Sequence, residues 1–402
     1  MSNNVLLVSA KSNCKSNIIL SSRLVKYFTR NGYNVIDEVH EADIIVVNTC
    51  GFHRETIDIS KNIFHKILKN RKEASKVVSV GCLNKINRLE LESLSKHLTV
   101  IDDLSDFDSL INANKPFDAF NTAYFDNSIF SYIHGKPPKY KRLVSAIYFK
   151  TARFLEKFKK NSPAFRGRLE KIKQEDRFEN KFYVEIGKGC VSNCSYCSIK
   201  KARGNPSSRS ISEIVADIKE GYKEGMGLFL VADDCGSYGF DSGKTIFELI
   251  ETIDLEFPGI PIDLCYVNPL WLERCPDQYL DMFKRFKINS LNVSLQSGSD
   301  KIIHLMNRKY YVNNVLDIIS KLQIISPATI FWSHFIIGHP SETWRDFFLT
   351  VKSTRVFHFF HFFPYSAPGE AENGKKAWSY FLKNNLKTVI MLLTAYRKLL
   401  KS

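Results

Sequence analysis

Short β-branched runs alternate with helical patterns along two long parts of this 402-residue chain. In the first part the runs are residues 4–9, 42–50 and 76–82. In the second part they are residues 182–187, 227–234, 260–267, 290–296, 330–338 and 356–366. Such alternation is typical of parallel sheets covered by helices. We therefore predict an open parallel α/β sheet domain in residues 1–112, followed in 182–375 by a partial (β/α)6 barrel of the TIM type.

The composition excludes several classes of protein. With 44% hydrophobic and 25% charged residues, the chain is too apolar for wholesale disorder and long enough for two sizeable cores. No apolar run approaches about 18 residues, and the N-terminus lacks the basic region of a signal peptide, so no membrane span or leader is predicted. The nine cysteines lack the pattern of a disulfide scaffold. We expect a reducing cytoplasm, where clustered cysteines favour metal binding.

Three cysteines of the first part follow its three predicted strands, one each: Cys14, Cys50 and Cys82. In a parallel sheet all three would lie at the carboxyl edge, where such sheets build their sites. A free cysteine is often simply a small core residue, which is the alternative for each one taken alone. Because all three occupy the same kind of position, we favour a shared site.

The second part opens with the motif CxxxCxxC in the sequence GKGCVSNCSYCSIK, at Cys190, Cys194 and Cys197. Thiolates are soft, anionic ligands suited to iron–sulfur clusters, and three of them on a cubane leave one iron open to a small chelating molecule. Zinc is the alternative, but no fourth ligand stands at zinc spacing, since the nearest histidines are His134 and His304. An aromatic residue just before the last cysteine, Tyr196, suits a loop that faces a cofactor.

This motif, on the first strand of a partial barrel, resembles the radical SAM superfamily. The resemblance implies that S-adenosyl-L-methionine fills the vacant iron through its amino and carboxyl groups. It also implies that the reduced 4Fe-4S cluster cleaves the sulfonium to a 5′-deoxyadenosyl radical, which abstracts hydrogen from an unreactive C–H bond.

Further motifs resemble the methylthiotransferases that modify tRNA or a ribosomal protein. In the second part they are GCVSNCSYCSIKKARGNPSSRS, LVADDCGSYG, VSLQSGSDKIIHLMNRKY, FIIGHPSET and HFFPYS. In the first part they are Cys14 with Asn17 and Ser21, ADIIVVNTC around Cys50, and VVSVGC around Cys82. The resemblance covers about residues 1–112 and 182–370.

The resemblance implies two 4Fe-4S clusters. The cluster on Cys190, Cys194 and Cys197 would bind and cleave S-adenosyl-L-methionine, and a second cluster on Cys14, Cys50 and Cys82 would present sulfur. One S-adenosyl-L-methionine methylates that sulfur and another supplies the radical, so that a methylthio group replaces hydrogen. An electron donor such as flavodoxin or ferredoxin is implied as a partner.

Other residues acquire candidate roles from the same resemblance. Those expected near the cofactor or substrate are Tyr196, Asp233, Asp234, Tyr238, Gln296, Ser297, Gly338 and Glu342. For each of them a structural role in a loop or at a strand end is the alternative. The remaining cysteines, Cys235, Cys265 and Cys275, match no cluster position and are predicted to be structural.

The chain also departs from the family pattern. His334 stands where the family has Asp, and His339 and Ser341 change GFPGET to GHPSET. The Arg usually found after FPYS is absent. Residues 376–402 are predicted to form a helical tail rather than the small β-rich TRAM domain that usually ends these proteins.

A basic, aromatic segment, residues 113–181, separates the two parts as a linker or insertion. Residues 136–181 hold 15 Lys and Arg against 5 Asp and Glu, which is +10 of the chain's net +15. The segment is interpreted as a packed helix with a solvated basic face, a surface for nucleic acid or phosphate, or a helix on a membrane surface.

For the substrate we favour a tRNA adenosine near the anticodon, which fits the positive charge. A ribosomal protein, another peptide or a small molecule is the alternative. Other radical SAM chemistry, or a non-catalytic iron–sulfur protein that binds RNA, also stays open.

Overall fold

The computed structural model describes residues 3–10, 14–51, 54–120, 181–365, 386–391 and 393–394. The predicted basic segment, residues 113–181, lies almost wholly outside the described residues, and so does most of the predicted tail, residues 376–402.

The N-terminal part is a five-stranded parallel sheet with helices on both faces. Its elements are β1 (Asn4–Ser9), α1 (Lys15–Arg30), β2 (Asn34–Ile36), β3 (Ile44–Thr49), α2 (Arg54–Asn70), β4 (Lys76–Gly81), α3 (Cys82–Ile86), α4 (Arg88–Glu92), β5 (Leu98–Val100) and α5 (Asp106–Ile111). The strand order is β2-β1-β3-β4-β5. The central strands are almost continuously buried, which explains their unbroken β-branched runs. The edge strands β2 and β5 are only three residues long, and their periodicity is too short to reveal them in the sequence.

An aromatic cluster covers one face of this sheet and extends past residue 112. Tyr27 and Phe28 of α1 pack against Phe107 of α5 and against Phe117, and all four are fully buried. The Tyr27 hydroxyl donates to a carboxylate oxygen of Asp108 at 2.9 Å. The N-terminal core is therefore closed by residues that follow the last helix, α5.

The second part is a six-stranded parallel sheet flanked by helices, which confirms the predicted α/β fold class. Its elements are β6 (Lys181–Glu185), β7 (Gly187–Lys188), α6 (Ile199–Arg203), β8 (Ser207–Ser208), α7 (Ile211–Gly221), β9 (Gly227–Val231), α8 (Ile246–Glu256), β10 (Ile262–Val267), α9 (Pro269–Arg274), α10 (Pro276–Arg285), β11 (Ile288–Val293), α11 (Asp300–Leu305), α12 (Val312–Ile325), β12 (Ile330–Ile337), α13 (Trp344–Ser353) and β13 (Phe359–Pro364). The strand order is β13-β12-β11-β10-β9-β6, with β7 and β8 as a separate antiparallel pair. The sheet thus has two edge strands, β6 and β13.

The two parts contact each other through helices that begin at the cysteine loops. Ile19 of α1 is buried with Tyr183 of β6 and Phe229 of β9. On the other side, α3 packs against α6, and Lys201 Nζ donates to the Ile86 carbonyl at 2.6 Å. The helix after Cys82 therefore lies beside the helix that follows Cys197.

No helix among the described residues is long and apolar enough to cross a membrane.

A helical segment, residues 386–391, docks on the barrel through a buried ion pair. The ammonium of Lys387 contacts the carboxylate of Glu342, and their side chains are 1% and 0% exposed. The same ammonium lies 5.5 Å from the ring centroid of Trp344 and 5.4 Å from that of Phe347. Since Glu342 also accepts the Gly338 backbone N–H at 2.9 Å, one carboxylate ties the loop after β12 to the C-terminal segment.

We expect Lys387→Met to lower the free energy of unfolding by about 3–5 kcal/mol, because it leaves the Glu342 carboxylate buried without its cation. Urea titration measures the loss. Adding Glu342→Gln to Lys387→Met should recover most of it. The control is Lys321→Met, which removes a lysine from an exposed pair with Asp317 and should change stability little. Equal effects from both lysines would contradict this account.

Candidate active site where the two sheets meet

The N-terminal cysteines lie together at the carboxyl edge of their sheet. Cys14 is the N-cap of α1 and is half-buried, Cys50 is buried directly after β3, and Cys82 opens α3 directly after β4. Burial raises the pKa of the Cys82 thiol and outweighs the opposing effect of the Arg203 guanidinium. The three cysteines that the sequence singled out here thus follow three neighbouring strands at one edge of the sheet.

The backbone beside Cys82 has room only for glycine. Gly81 has φ +100°, and a Cβ there would lie 2.5 Å from the Thr49 carbonyl oxygen. The amide of Asn48 donates to the Asn17 carbonyl and to Ser21 Oγ, each at 3.0 Å, which fixes α1 to β3. Asn48 Oδ1 is buried with no hydrogen-bond partner among the described residues. A closely packed glycine, Gly81, and the unpaired Asn48 Oδ1 therefore lie beside Cys82.

The second cysteine loop runs from β7 to α6 and holds Cys190, Cys194 and Cys197, all half-buried. It begins at Gly189, whose φ is +78° and whose Cβ would lie 2.2 Å from the Asn205 carbonyl oxygen. The Gly189 N–H donates to Asp233 Oδ2 at 2.8 Å. The predicted residue Asp233 therefore fixes the start of this loop.

Two thiols of this loop have a raised pKa. Burial raises the pKa of Cys190 to about 12, with a further contribution from Asp234, and burial raises the pKa of Cys197 to about 11. Because a metal binds thiolates, loading this loop with iron has to displace protons.

Arg308 and Asn268 clamp the loop from the side of α11. Arg308 Nη1 donates to the Tyr196 hydroxyl at 2.8 Å, and its Nη2 donates to Asn268 Oδ1 at 3.0 Å. Asn268 Nδ2 donates to Ser192 Oγ at 2.8 Å. Sequence reasoning missed both clamping residues, although Arg308 lies within the motif LMNRKY that it singled out.

Asp234 is anchored within the protein. Its carboxylate accepts hydrogen bonds from Ser237 Oγ at 2.6 Å, Trp271 Nε1 at 2.8 Å and the Asn268 backbone N–H at 3.0 Å. The Cys190 thiol lies 3.7 Å from the same carboxylate. Asp234 therefore orients the first cysteine of the loop and leaves little capacity for a ligand.

The other predicted residues differ in whether their polar atoms are already hydrogen-bonded within the protein. The Tyr238 hydroxyl donates to the Arg209 carbonyl at 2.9 Å, and Ser297 Oγ lies 3.1 Å from Thr350 Oγ1. Gln296, three residues after the end of β11, has φ +67° and is 8% exposed. Its Oε1 has no hydrogen-bond partner among the described residues. A strained, buried residue with an unused acceptor is the one of these three best suited to bind a ligand.

Arg203 links the two cysteine sets. It follows Cys197 in α6 and interacts electrostatically with Cys82, Asp233 and Cys14. Burial lowers the pKa of the Arg203 guanidinium, but the negative charges around it outweigh burial and the net pKa is raised. One permanent positive charge therefore lies between the sites.

The donor sets fit iron–sulfur clusters. Among the described residues, no three His, Cys, Asp or Glu side chains are close enough together to hold one metal ion. In a cubane each thiolate binds a different iron, so the sulfurs stand farther apart than the ligands of a single zinc ion. Two sets of three thiols, each in a loop whose backbone turns at a glycine, are compatible with two such clusters.

Comparisons with known families match both parts of the chain. Residues 184–353 match the Radical SAM superfamily, and residues 9–102 match the uncharacterized protein family UPF0004. The chain is 26% identical over 366 residues to the threonylcarbamoyladenosine tRNA methylthiotransferase MtaB of Thermotoga maritima, covering 87% of this chain and 73% of that protein. It is 23% identical over 342 residues to the ribosomal protein uS12 methylthiotransferase RimO of Chlamydia caviae, covering 83% and 65%. The chain thus spans about two thirds to three quarters of the length of these relatives.

Solved structures show the same fold. The radical S-adenosylmethionine methyltransferase TsrM from Kitasatospora setae superposes with a TM-score of 0.56 at 13% identity, over 90% of this chain and 75% of that one. The cobalamin-dependent S-adenosylmethionine radical enzyme OxsB superposes with a TM-score of 0.51 at 11% identity, over 100% and 56%. At these identities the likeness concerns the arrangement of the two sheets and carries no inference about cobalamin.

Replacing Arg203 by Gln should lower the reduction potential of a cluster on Cys14, Cys50 and Cys82, because a neighbouring positive charge favours the reduced state. We expect a shift of roughly 60 mV, which corresponds to about tenfold for one electron. Redox titration followed by EPR measures it. The control Lys201→Gln removes a charge from the same helix, where Lys201 is exposed and donates to the Ile86 carbonyl. An equal shift in both variants would mean that the charge of Arg203 affects this reduction potential no more than the charge of Lys201.

Proposed function

The chain is a radical SAM enzyme of the methylthiotransferase family, and we propose that it replaces hydrogen by a methylthio group at an unactivated C–H bond. The family uses S-adenosyl-L-methionine and two 4Fe-4S clusters. The observation that carries the proposal is the presence of two three-cysteine sets at one junction, with Arg203 beside Cys82 and Asp233.

We assign the sets according to the family match in which each lies, the Radical SAM match for residues 184–353 and the UPF0004 match for residues 9–102. Cys190, Cys194 and Cys197 would hold the cluster that binds S-adenosyl-L-methionine, and Cys14, Cys50 and Cys82 would hold the second cluster. When bound, these groups supply a 5′-deoxyadenosyl radical and the sulfur that is transferred.

The protein's own residues fix the geometry. Arg308 donates to the Tyr196 hydroxyl and the Asp234 carboxylate lies 3.7 Å from the Cys190 thiol, so the protein's own side chains help to position this loop. Gln296 offers an unused acceptor near the same end of the sheet. Such preorganisation is what places a reactive radical against a single target atom.

We propose a tRNA adenosine near the anticodon as the substrate. The net charge of +15 favours a polyanion, and the MtaB relative is named for a tRNA nucleoside. Ribosomal protein uS12 is the second candidate, because the RimO relatives are named for it. An electron donor of the flavodoxin or ferredoxin type would reduce the clusters. All nine cysteines are free thiols, which supports the cytoplasm as the compartment.

Iron and sulfide content of anaerobically reconstituted protein tests the two-cluster assignment. The wild type should hold about eight irons, and the triple variant Cys14→Ala/Cys50→Ala/Cys82→Ala should hold about four. The variant Cys190→Ala/Cys194→Ala/Cys197→Ala should also retain about four. Cys275→Ala, a half-buried cysteine outside both sets, is the control and should retain about eight. About four irons in both the wild type and the first variant would mean that the N-terminal thiols bind no cluster.

Product analysis tests the reaction and the substrate. Reduced holoenzyme with S-adenosyl-L-methionine is incubated with unmodified tRNA and, separately, with ribosomes that carry unmodified uS12. Mass spectrometry should find the methylthio group on a tRNA nucleoside. A methylthio group on uS12 instead would identify the ribosomal protein as the substrate and would still support methylthio transfer. Formation of 5′-deoxyadenosine without any methylthio product would indicate other radical chemistry, and no cleavage at all would contradict an active enzyme.

A further inference from the structure

Arg308 is a buried cation beside the second cysteine loop. It is 6% exposed, and it interacts electrostatically with Cys194 and Cys197. A guanidinium stays charged in proteins, and it loses the favourable hydration of its charge when it is buried. A buried charge is stable only where groups of opposite charge or polar groups compensate for the lost water. The groups around Arg308 therefore indicate what this residue does.

The charge of Arg308 is not balanced by a carboxylate in the described part of the chain, where it forms no ion pair with Asp or Glu. The residues that act on its charge most strongly are Tyr196, Tyr310 and Cys194. Both tyrosines are neutral at pH 7, because the ordinary pKa of a phenol is about 10. A cysteine becomes a thiolate when it binds a metal. The counter-charge of Arg308 is therefore the one that the cysteine loop acquires together with its iron.

The hydrogen bonds of Arg308 fix its orientation and leave one donor over. Nη1 donates to the Tyr196 hydroxyl at 2.8 Å, and Nη2 donates to Asn268 Oδ1 at 3.0 Å. The Arg308 Cζ lies 5.3 Å from the centroid of the Tyr310 ring. Nε is buried and has no hydrogen-bond partner among the residues that the structure describes. A buried N–H without an acceptor is rare in native proteins and destabilises the fold, so this donor indicates a ligand that accepts from it.

The backbone next to Arg308 is bonded to the same loop. The Ser195 N–H donates to the Met306 carbonyl at 3.0 Å, and Asn307 Nδ2 donates to the Asn193 carbonyl at 2.7 Å. Asn307 has φ +56°, in the left-handed region. Strained backbone of this kind persists only where surrounding contacts hold it, and it is concentrated at functional sites. Backbone and side-chain contacts together therefore hold the guanidinium in a defined orientation beside the cysteines.

Charge and hydrogen bonding are the properties by which a protein tunes an iron–sulfur cluster. The reduction potential depends on the charge around the cluster and on hydrogen bonds to its sulfurs. Because reduction adds a negative charge, a fixed guanidinium nearby stabilises the reduced state more than the oxidised state. Arg308 combines a permanent charge with an unused N–H. Its neighbour Lys309 is exposed, so water and salt screen the charge of that residue.

We propose that Arg308 donates its Nε–H to an anionic sulfur of the 4Fe-4S cluster on Cys190, Cys194 and Cys197, and that its charge raises the reduction potential of this cluster. The inference rests on the proposed assignment of a cluster to the second loop, and it adds a guanidinium contact to the three cysteines. Because the cluster must be reduced before it cleaves S-adenosyl-L-methionine, the contact favours electron transfer from the donor protein.

Pulsed EPR of the reduced cluster tests the contact directly. The sample is the full-length variant Cys14→Ala/Cys50→Ala/Cys82→Ala, in which only the second set of cysteines is left to hold a cluster. All arginine nitrogens are labelled with ¹⁵N, and no S-adenosyl-L-methionine is added. We expect a ¹⁵N coupling to the cluster, and we expect Arg308→Lys in the same background to remove it. Arg203→Gln, which removes the guanidinium near Cys82, is the control and should keep the coupling.

Redox titration in the same background measures the effect of the charge. Arg308→Gln removes the charge and should lower the reduction potential by roughly 59 mV, a tenfold change for one electron. Arg308→Lys keeps the charge and should recover most of this shift. The control Lys309→Gln removes an exposed charge one residue away and should change the potential little. An iron content of about four in each variant shows that the cluster is present. If Arg308→Lys holds no iron, the ¹⁵N coupling that persists or disappears in Arg203→Gln decides.

The possible results separate this inference from the proposed function. Absence of ¹⁵N coupling in the variant that keeps Arg308, or equal potentials of Arg308→Gln and Lys309→Gln, would overturn the contact. An unchanged potential with weaker binding of S-adenosyl-L-methionine by Arg308→Gln would also overturn it, because the guanidinium would then bind the carboxyl group of that molecule.

Two further results concern the proposed function. A triple-alanine variant without iron would overturn both the Arg308 contact and the two-cluster assignment. If the coupling and the potential shift are found in an enzyme that forms no methylthio product, the proposed function alone is overturned.

Discussion

The packing of α3 against α6 is the contact on which the candidate site depends. Both helices begin within two residues of a cysteine, at Cys82 and after Cys197, so their contact brings together loops from two separate sheets. Arg203 supplies the charge at this contact. A guanidinium can satisfy a thiolate and a carboxylate at once, and without it Cys82 and Asp233 would repel each other when ionised.

In the candidate site, hydrogen bonds of buried polar groups hold the backbone in place. Asp234 accepts three strong hydrogen bonds, and Arg308 bridges Tyr196 and Asn268. Gly81 and Gly189 let the backbone take left-handed conformations where any Cβ would collide with a carbonyl oxygen. Hydrogen bonds among buried groups restrict side-chain movement, and such order is what a site that positions clusters and a radical requires.

Strand β12 shows how the two sides of one strand can differ in their surroundings. One side of β12 fills the core with Phe331 and Phe335, while the other carries Trp332 and His334 at the same two-residue period. The sequence IFWSHFII does not say which of these sets faces the helices, because both are aromatic or apolar enough for either side. Only the packing of the helices against the sheet decides it.

Much of the fold and part of the site followed from the sequence. The β-branched runs located β1, β3 and β4, because a strand buried on both faces must be continuously apolar. The strand-end cysteines were found because parallel strands all end at one edge. The short strands β2 and β5 and the clamp by Arg308 and Asn268 were not found. The strands are too short to show a period, and a hydrogen bond between residues 40 positions apart leaves no local signal.

The sequence by itself determined the class of sheet, the order of its elements and the six cysteines that end up at its edges, since each of these depends on local periodicity and on spacing along the chain. Only the tertiary structure decided which polar side chains are hydrogen-bonded within the protein. Tyr238 and Ser297 bond to distant neighbours, whereas Gln296 keeps an unused acceptor. Tertiary structure also decided that Arg203 lies near Cys82, Cys14 and Asp233, because that position depends on how two separate sheets dock. Docking is set by long-range packing, which a one-dimensional pattern does not contain.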